Sequence, residues 1–108
     1  MKRGDIVVLA ARDAYTGKPR PALIVQSDLF NATHASISVC LITTEFAEAP
    51  LFRVAIAPGT RTGLKKPSQI MIDKIASVPR EQVSSVIGDI DDKTFEHVAD
   101  ALRRWLNV

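Results

Sequence analysis

The chain is short of the groups that small enzymes and cross-linked proteins most often rely on. Its 108 residues include one cysteine, Cys40, which excludes an internal disulfide and fits a reducing cytoplasm. Cys40 lies in an apolar run and reads as a small core side chain rather than a nucleophile. There are two histidines, His34 and His97, one in a polar turn and one on a helix, and both read as surface residues. No Cys/His/carboxylate cluster has the spacing of metal ligands, so neither a metal nor a cofactor is expected. No apolar run approaches the ~20 residues needed to span a bilayer. The opening Met1-Lys2-Arg3-Gly4-Asp5 lacks the apolar stretch and cleavage site of a signal peptide. No membrane is expected. There is no internal repeat, linker or low-complexity segment, and the length suits one domain over residues 1–108 with one core.

What is present is a sequence of short apolar runs. About 46% of residues are hydrophobic and 24% charged, the profile of a globular protein. Strands are predicted over residues 6–11, 22–26, 36–43, 51–57, 68–75 and 84–90. Pro21, which has no N–H to give a sheet, should open the second of these. Residues 12–19 form a polar loop rich in turn formers, and residues 26–31 a turn. Eight residues are long for a hairpin loop, a length associated with function. A helical turn is predicted at 79–83, opened by Pro79. The chain then closes in a helix capped by Asp91 or Asp92, with Phe95, Val98, Ala99, Leu102, Trp105 and Leu106 on one face. Asp100 should reach Arg103 or Arg104 on the other. Many short strands with one terminal helix predict a mainly β fold, either a strongly bent antiparallel sheet or a small barrel.

Net charge is only +2, but its distribution is uneven. Residues 1–66 hold nine Lys/Arg against five Asp/Glu, and residues 67–108 five against seven. A basic half on a small domain suits a short polyanion. Arg20 is the main candidate within it. An arginine before a proline, at the mouth of a rigid buried strand, is well placed to meet a phosphate. At the end of the third strand, Thr43 and Thr44 present paired hydroxyls.

Taken in order, Arg3-Gly4-Asp5-Ile6-Val7-Val8, Gly17-Lys18-Pro19-Arg20-Pro21, Ser38-Val39-Cys40-Leu41-Ile42-Thr43-Thr44, residues 68–75 and Ile87-Gly88-Asp89-Ile90 resemble the MazF/PemK-type toxins of bacterial toxin–antitoxin modules. The resemblance implies an SH3-like small β-barrel of the CcdB/MazF type, working as a homodimer. It also implies a sequence-specific endoribonuclease, or mRNA interferase, that cuts single-stranded RNA without metal. In that chemistry the 2′-hydroxyl attacks phosphorus and leaves a 2′,3′-cyclic phosphate and a 5′-hydroxyl. The partners it implies are single-stranded RNA and a cognate acidic antitoxin. By the same resemblance Arg20 is the catalytic arginine, Thr43 the active-site threonine and Asp73 a candidate base. Tyr15, Lys18, Thr44 and Arg53 are candidate RNA-binding residues: Tyr15 could stack on a base and Lys18 track the backbone.

The chain departs from the family pattern twice. Met71 stands where some relatives carry an arginine two residues before the aspartate. The loop reads Asp13-Ala14-Tyr15-Thr16-Gly17-Lys18-Pro19 where many relatives carry a Glu-Gln pair, leaving Asp13 as the only substitute base there. Two other functions remain open: a CcdB-like gyrase poison using the end of the helix around Trp105, and a catalytically weakened homologue that still binds antitoxin.

Overall fold

The computed structural model describes residues 1–10 and 18–108. Asp13 and Tyr15 lie outside these residues. Six strands, β1 (Asp5–Leu9), β2 (Arg20–Ile24), β3 (Ser36–Thr43), β4 (Arg53–Ile56), β5 (Ser68–Pro79) and β6 (Val83–Asp89), form one sheet in the order β4-β5-β3-β2-β1-β6. Every pairing is antiparallel. Two helices complete the fold, a four-residue α1 (Asp28–Asn31) and the fifteen-residue α2 (Asp92–Leu106), with a 3-10 turn at Arg80–Gln82. The mainly β fold with a terminal helix is as the sequence predicts. Among the described residues the sheet is open rather than closed into a barrel, with β4 and β6 as its edges.

The central strands are apolar on both faces, which is why they read as continuous runs rather than alternating ones. On β3, Cys40 and Ile42 face one cluster with Ile6, Leu23, Ile70, Ile72 and the α2 residues Val98 and Ala101. Ile37 and Val39 point the other way, to Val7, Leu9, Ala22 and Ile24. This is the period-2 alternation of a strand buried on both sides.

α2 covers the first cluster. Asp91 caps it by accepting from the Thr94 N–H at 2.7 Å, and Asn107, in the left-handed region at φ 58°, ends it. Ala101 rather than Ala99 is the buried alanine, and Trp105 and Leu106 stay about half exposed. Trp105 packs at a tilt on Phe52, ring centroids 5.7 Å apart. Arg103 donates to Asp100 at 2.8 Å, as the spacing suggested.

Several boundaries differ from the sequence reading. β1 ends at Leu9, and the Ala10 N–H turns away to the Gln82 carbonyl. β2 begins at Arg20, with Pro21 as its second residue opposite Val8. The turn after β2 becomes α1, because the Ser27 hydroxyl accepts from the Leu29 N–H and starts a helical turn. β5 runs on to Pro79, paired with Ser36.

β5 also carries an irregularity. Cys40 pairs with Ile75 and Ile42 with Ile70, so two residues of advance on β3 match five on β5. The surplus residues bulge out, and Asp73 is among them. The Arg-Gly-Asp opening is used structurally. Arg3 lies over the Phe95 ring at 4.3 Å and Asp5 accepts from the Lys2 N–H.

Candidate active site

The sheet register builds the site. Ala22 pairs with Leu41, Leu23 with Cys40 and Ile24 with Val39. Continued by two residues, that register sets Arg20 level with Thr43. Thr43 in turn pairs with Gln69 on β5, which puts Ser68 beside Thr44. Three neighbouring strands therefore deliver an arginine, two threonines and a serine to one end of the sheet. Ser68 is buried and its hydroxyl donates to the Lys66 carbonyl at 2.9 Å.

A cavity of about 590 Å³ opens at these strand ends. Arg20, Thr43, Thr44 and Lys18 all line it, so the structure brings four of the predicted residues together. Glu45, Lys65 and Lys66 also line it, and these three were missed by sequence reasoning. The charge run Lys65-Lys66 was visible, but nothing in the sequence places it near Arg20.

The lysines arrive on the turn that follows β4, and two glycines dock that turn on β6. Gly63 has φ +73°, and a Cβ there would lie 2.1 Å from the Ile87 carbonyl oxygen. A Cβ on Gly88 would lie 2.3 Å from the carbonyl oxygens of Arg61 and Thr62. Backbone meets backbone here with no room for a side chain. The Asp89 N–H donates to the Arg61 carbonyl at 3.0 Å, and Arg61 Nε to Asp89 Oδ1 at 2.9 Å.

Arg53 and Asp73 lie elsewhere. Arg53 Nη1 donates to the Glu45 carbonyl at 3.1 Å and to Gln69 Oε1 at 2.9 Å. Gln69 also exchanges hydrogen bonds with both backbone groups of Ala47. Together they brace the segment after β3, and Arg53 lines the neighbouring clefts rather than the cationic pocket. Asp73, on the β5 bulge, is not among the pocket's lining residues. Among the described residues its buried Oδ1 has no hydrogen-bond partner. Burial, with the Asp73 charge adding, pushes the Cys40 thiol up to about 12, which suits the core role expected for it. His34 is exposed, its ring bonded locally to Ser36. His97 is exposed beside a cleft with Arg53 and Asp100.

Among the described residues, no three His, Cys, Asp or Glu side chains are placed to hold a metal ion, and no helix is long and apolar enough to cross a membrane. Guanidinium, ammonium and hydroxyl groups dominate the pocket. Such a set binds and polarises a phosphate.

An open antiparallel sheet with a cation-rich pocket at the ends of its central strands defines a small β domain suited to an anionic ligand. Residues 2–106 match the PemK-like, MazF-like toxins of type II toxin–antitoxin systems, and the chain belongs to that family. It is 45% identical over its whole length to a probable endoribonuclease MazF of Mycolicibacterium smegmatis, covering 98% of that protein. It is 26% identical to the endoribonuclease EndoA of Bacillus subtilis, over 95% of this chain and 91% of that one. Among solved structures, a mycobacterial endoribonuclease in complex with its cognate antitoxin shares the fold at TM-score 0.83. The match spans all of this chain and 96% of that one at 21% identity. A MazE–MazF structure from Deinococcus radiodurans matches at TM-score 0.83 and 20% identity, over all of this chain and 97% of that one.

Proposed function

We propose that this MazF-family endoribonuclease cuts single-stranded mRNA at specific sequences in the cytoplasm, without metal, through attack by the 2′-hydroxyl next to the scissile phosphate. The observation that carries the reading is the convergence of Arg20, Thr43 and the lysines on one pocket. The substrate brings its own nucleophile, so the protein must place the phosphate and stabilise the charge that builds on it. Arg20 grips two phosphate oxygens in parallel, and a guanidinium, with donors only and a permanent charge, serves as a charge stabiliser rather than a proton donor. Thr43 and Thr44 donate to a nonbridging oxygen. Lys18, Lys65 and Lys66 hold the flanking backbone. Unpaired RNA exposes its base edges, which lets a small protein read sequence. The products are a 2′,3′-cyclic phosphate and a 5′-hydroxyl.

Family membership supports a homodimer whose pocket side is covered by an acidic segment of a cognate antitoxin, competing with RNA for the same cations. The gyrase-poison reading has less support, because the conspicuous site lies at the strand ends and not around Trp105. The deciding experiment is incubation of the purified protein with a long RNA in EDTA, with the ends mapped. Site-selective cuts with cyclic-phosphate ends are expected, and these cuts should disappear in Arg20→Ala. A strict Mg²⁺ requirement or 5′-phosphate products would overturn the mechanism. A catalytically weakened homologue would bind antitoxin and leave the RNA whole.

A further inference from the structure

The pocket contains cations and hydroxyls in plenty but needs a group to receive the 2′-hydroxyl proton. Among the described residues that line it, one carboxylate is present, Glu45. We propose that Glu45 is that base. The inference rests on the reading of the pocket as the RNA-cleaving site, and it deepens that reading.

Three observations place Glu45 for the task. It follows Thr43 by two residues, and its N–H donates to Thr43 Oγ1 at 3.0 Å, which ties it to a hydroxyl level with Arg20. Its carbonyl is held from the other side by Arg53 at 3.1 Å, and Gln69 fixes both Arg53 and the Ala47 backbone. The segment is therefore anchored at successive peptides although it lies outside the strand. Its side chain is solvent-exposed and forms no ion pair among the described residues, so the carboxylate is not consumed by a structural partner. Among the described residues, the other carboxylates do not share this placement. Asp73 sits on the β5 bulge beside Cys40, and Glu48 lines a different cleft.

In the proposed step the 2′-hydroxyl proton passes to a Glu45 carboxylate oxygen as the 2′-oxygen bonds to phosphorus. The bond from phosphorus to the 5′-oxygen breaks, and that oxygen takes a proton from the ammonium of Lys65 or Lys66. Water then reprotonates the lysine and accepts the proton from Glu45. Nothing is oxidised or reduced.

The test uses single-turnover cleavage, at saturating protein, of a short RNA carrying a junction mapped with the wild type. Glu45→Gln should slow the bond-breaking step by about 10²–10⁴-fold. RNA affinity should hold or tighten, since a negative charge leaves a cationic pocket. The acid limb of the wild-type pH–rate profile should vanish in Glu45→Gln, and added formate should restore cleavage to Glu45→Ala in proportion to its concentration. Asp13→Asn and Asp73→Asn serve as comparators and should keep the limb. The proposal is overturned if Glu45→Gln cleaves within about threefold of wild type. It is equally overturned if the limb survives in Glu45→Gln and is lost in a comparator, or if formate leaves Glu45→Ala inactive. Failure of the wild type to cut RNA would instead remove the functional reading itself.

Discussion

Replacing Gly88 by alanine should be among the most damaging single-methyl additions in this fold. The new Cβ would sit 2.3 Å from three backbone atoms, the Arg61 oxygen and the Thr62 carbonyl carbon and oxygen. None of these can rotate away, so the whole turn after β4 must move by roughly an ångström. Overpacking of this kind costs about 1–3 kcal/mol. The shift also breaks the hydrogen bond from Asp89 N–H to the Arg61 carbonyl, worth about 0.5–1.5 kcal/mol. The Arg61–Asp89 ion pair is exposed on both sides and adds little. The sum is a loss of about 1.5–4.5 kcal/mol. In a domain of this size that lowers Tm by about 6–27 °C and moves the urea midpoint by on the order of 1–3 M. Gly63→Ala should be worse, because it combines a 2.1 Å clash with a φ of +73°. The assay is urea unfolding at one fixed protein concentration, since self-association would make the midpoint concentration-dependent. A Gly88→Ala protein within about 0.5 kcal/mol of wild type, or a Gly63→Ala protein no weaker than Gly88→Ala, would refute the docking argument.

Arg20→Ala should cut single-turnover cleavage by about 10²–10³-fold with an unchanged unfolding midpoint, and Arg20→Lys should recover little because a point charge loses the two-pronged grip. The Cys40 thiol, fully buried and pushed up to about 12, should resist thiol reagents at pH 8, reacting only at the rate of unfolding; rapid labelling of folded protein would contradict its core placement. Asp28 and Asp91 are held below the ordinary carboxylate value, Asp28 chiefly by the Arg3 N–H and Asp91 by Thr94. Their stabilising effect is therefore complete above the unfolded-state pKa near 3.8 and is lost as pH falls through the lower folded values. Thermal melts between about pH 5 and pH 2 should fall less steeply in Asp91→Asn than in wild type.

The strands and the terminal helix were largely legible because their signals are local. The run from Ser36 to Thr43 and the 3.6-residue repeat from Phe95 onward state their own conformation, and Asp91 sits where a cap belongs. The end of β5 was not legible. Residues 76–79 carry no alternation, and only pairing with β3 keeps them extended. Arg20 and Thr43 could be singled out as strand-end residues, but their alignment depends on the β2–β3 register. Glu45, Lys65 and Lys66 enter the pocket through tertiary contacts across long stretches of sequence. Arg53 was read as an RNA contact on its charge alone. Its bonds to the Glu45 carbonyl and Gln69 exist only because β4 pairs with β5 and faces the segment after β3.

The docking of Gly63 and Gly88 also bears on the order in which the pocket is assembled as the chain folds. The pocket draws on residues near 20, 43 and 65, yet the turn carrying the lysines is locked in place by β6, which is made late. A nascent chain that has emerged only as far as β5 holds Arg20 and Thr43 without the strand that seats Lys65 and Lys66. The cationic pocket therefore closes only when the β6 segment is free to pair with β1.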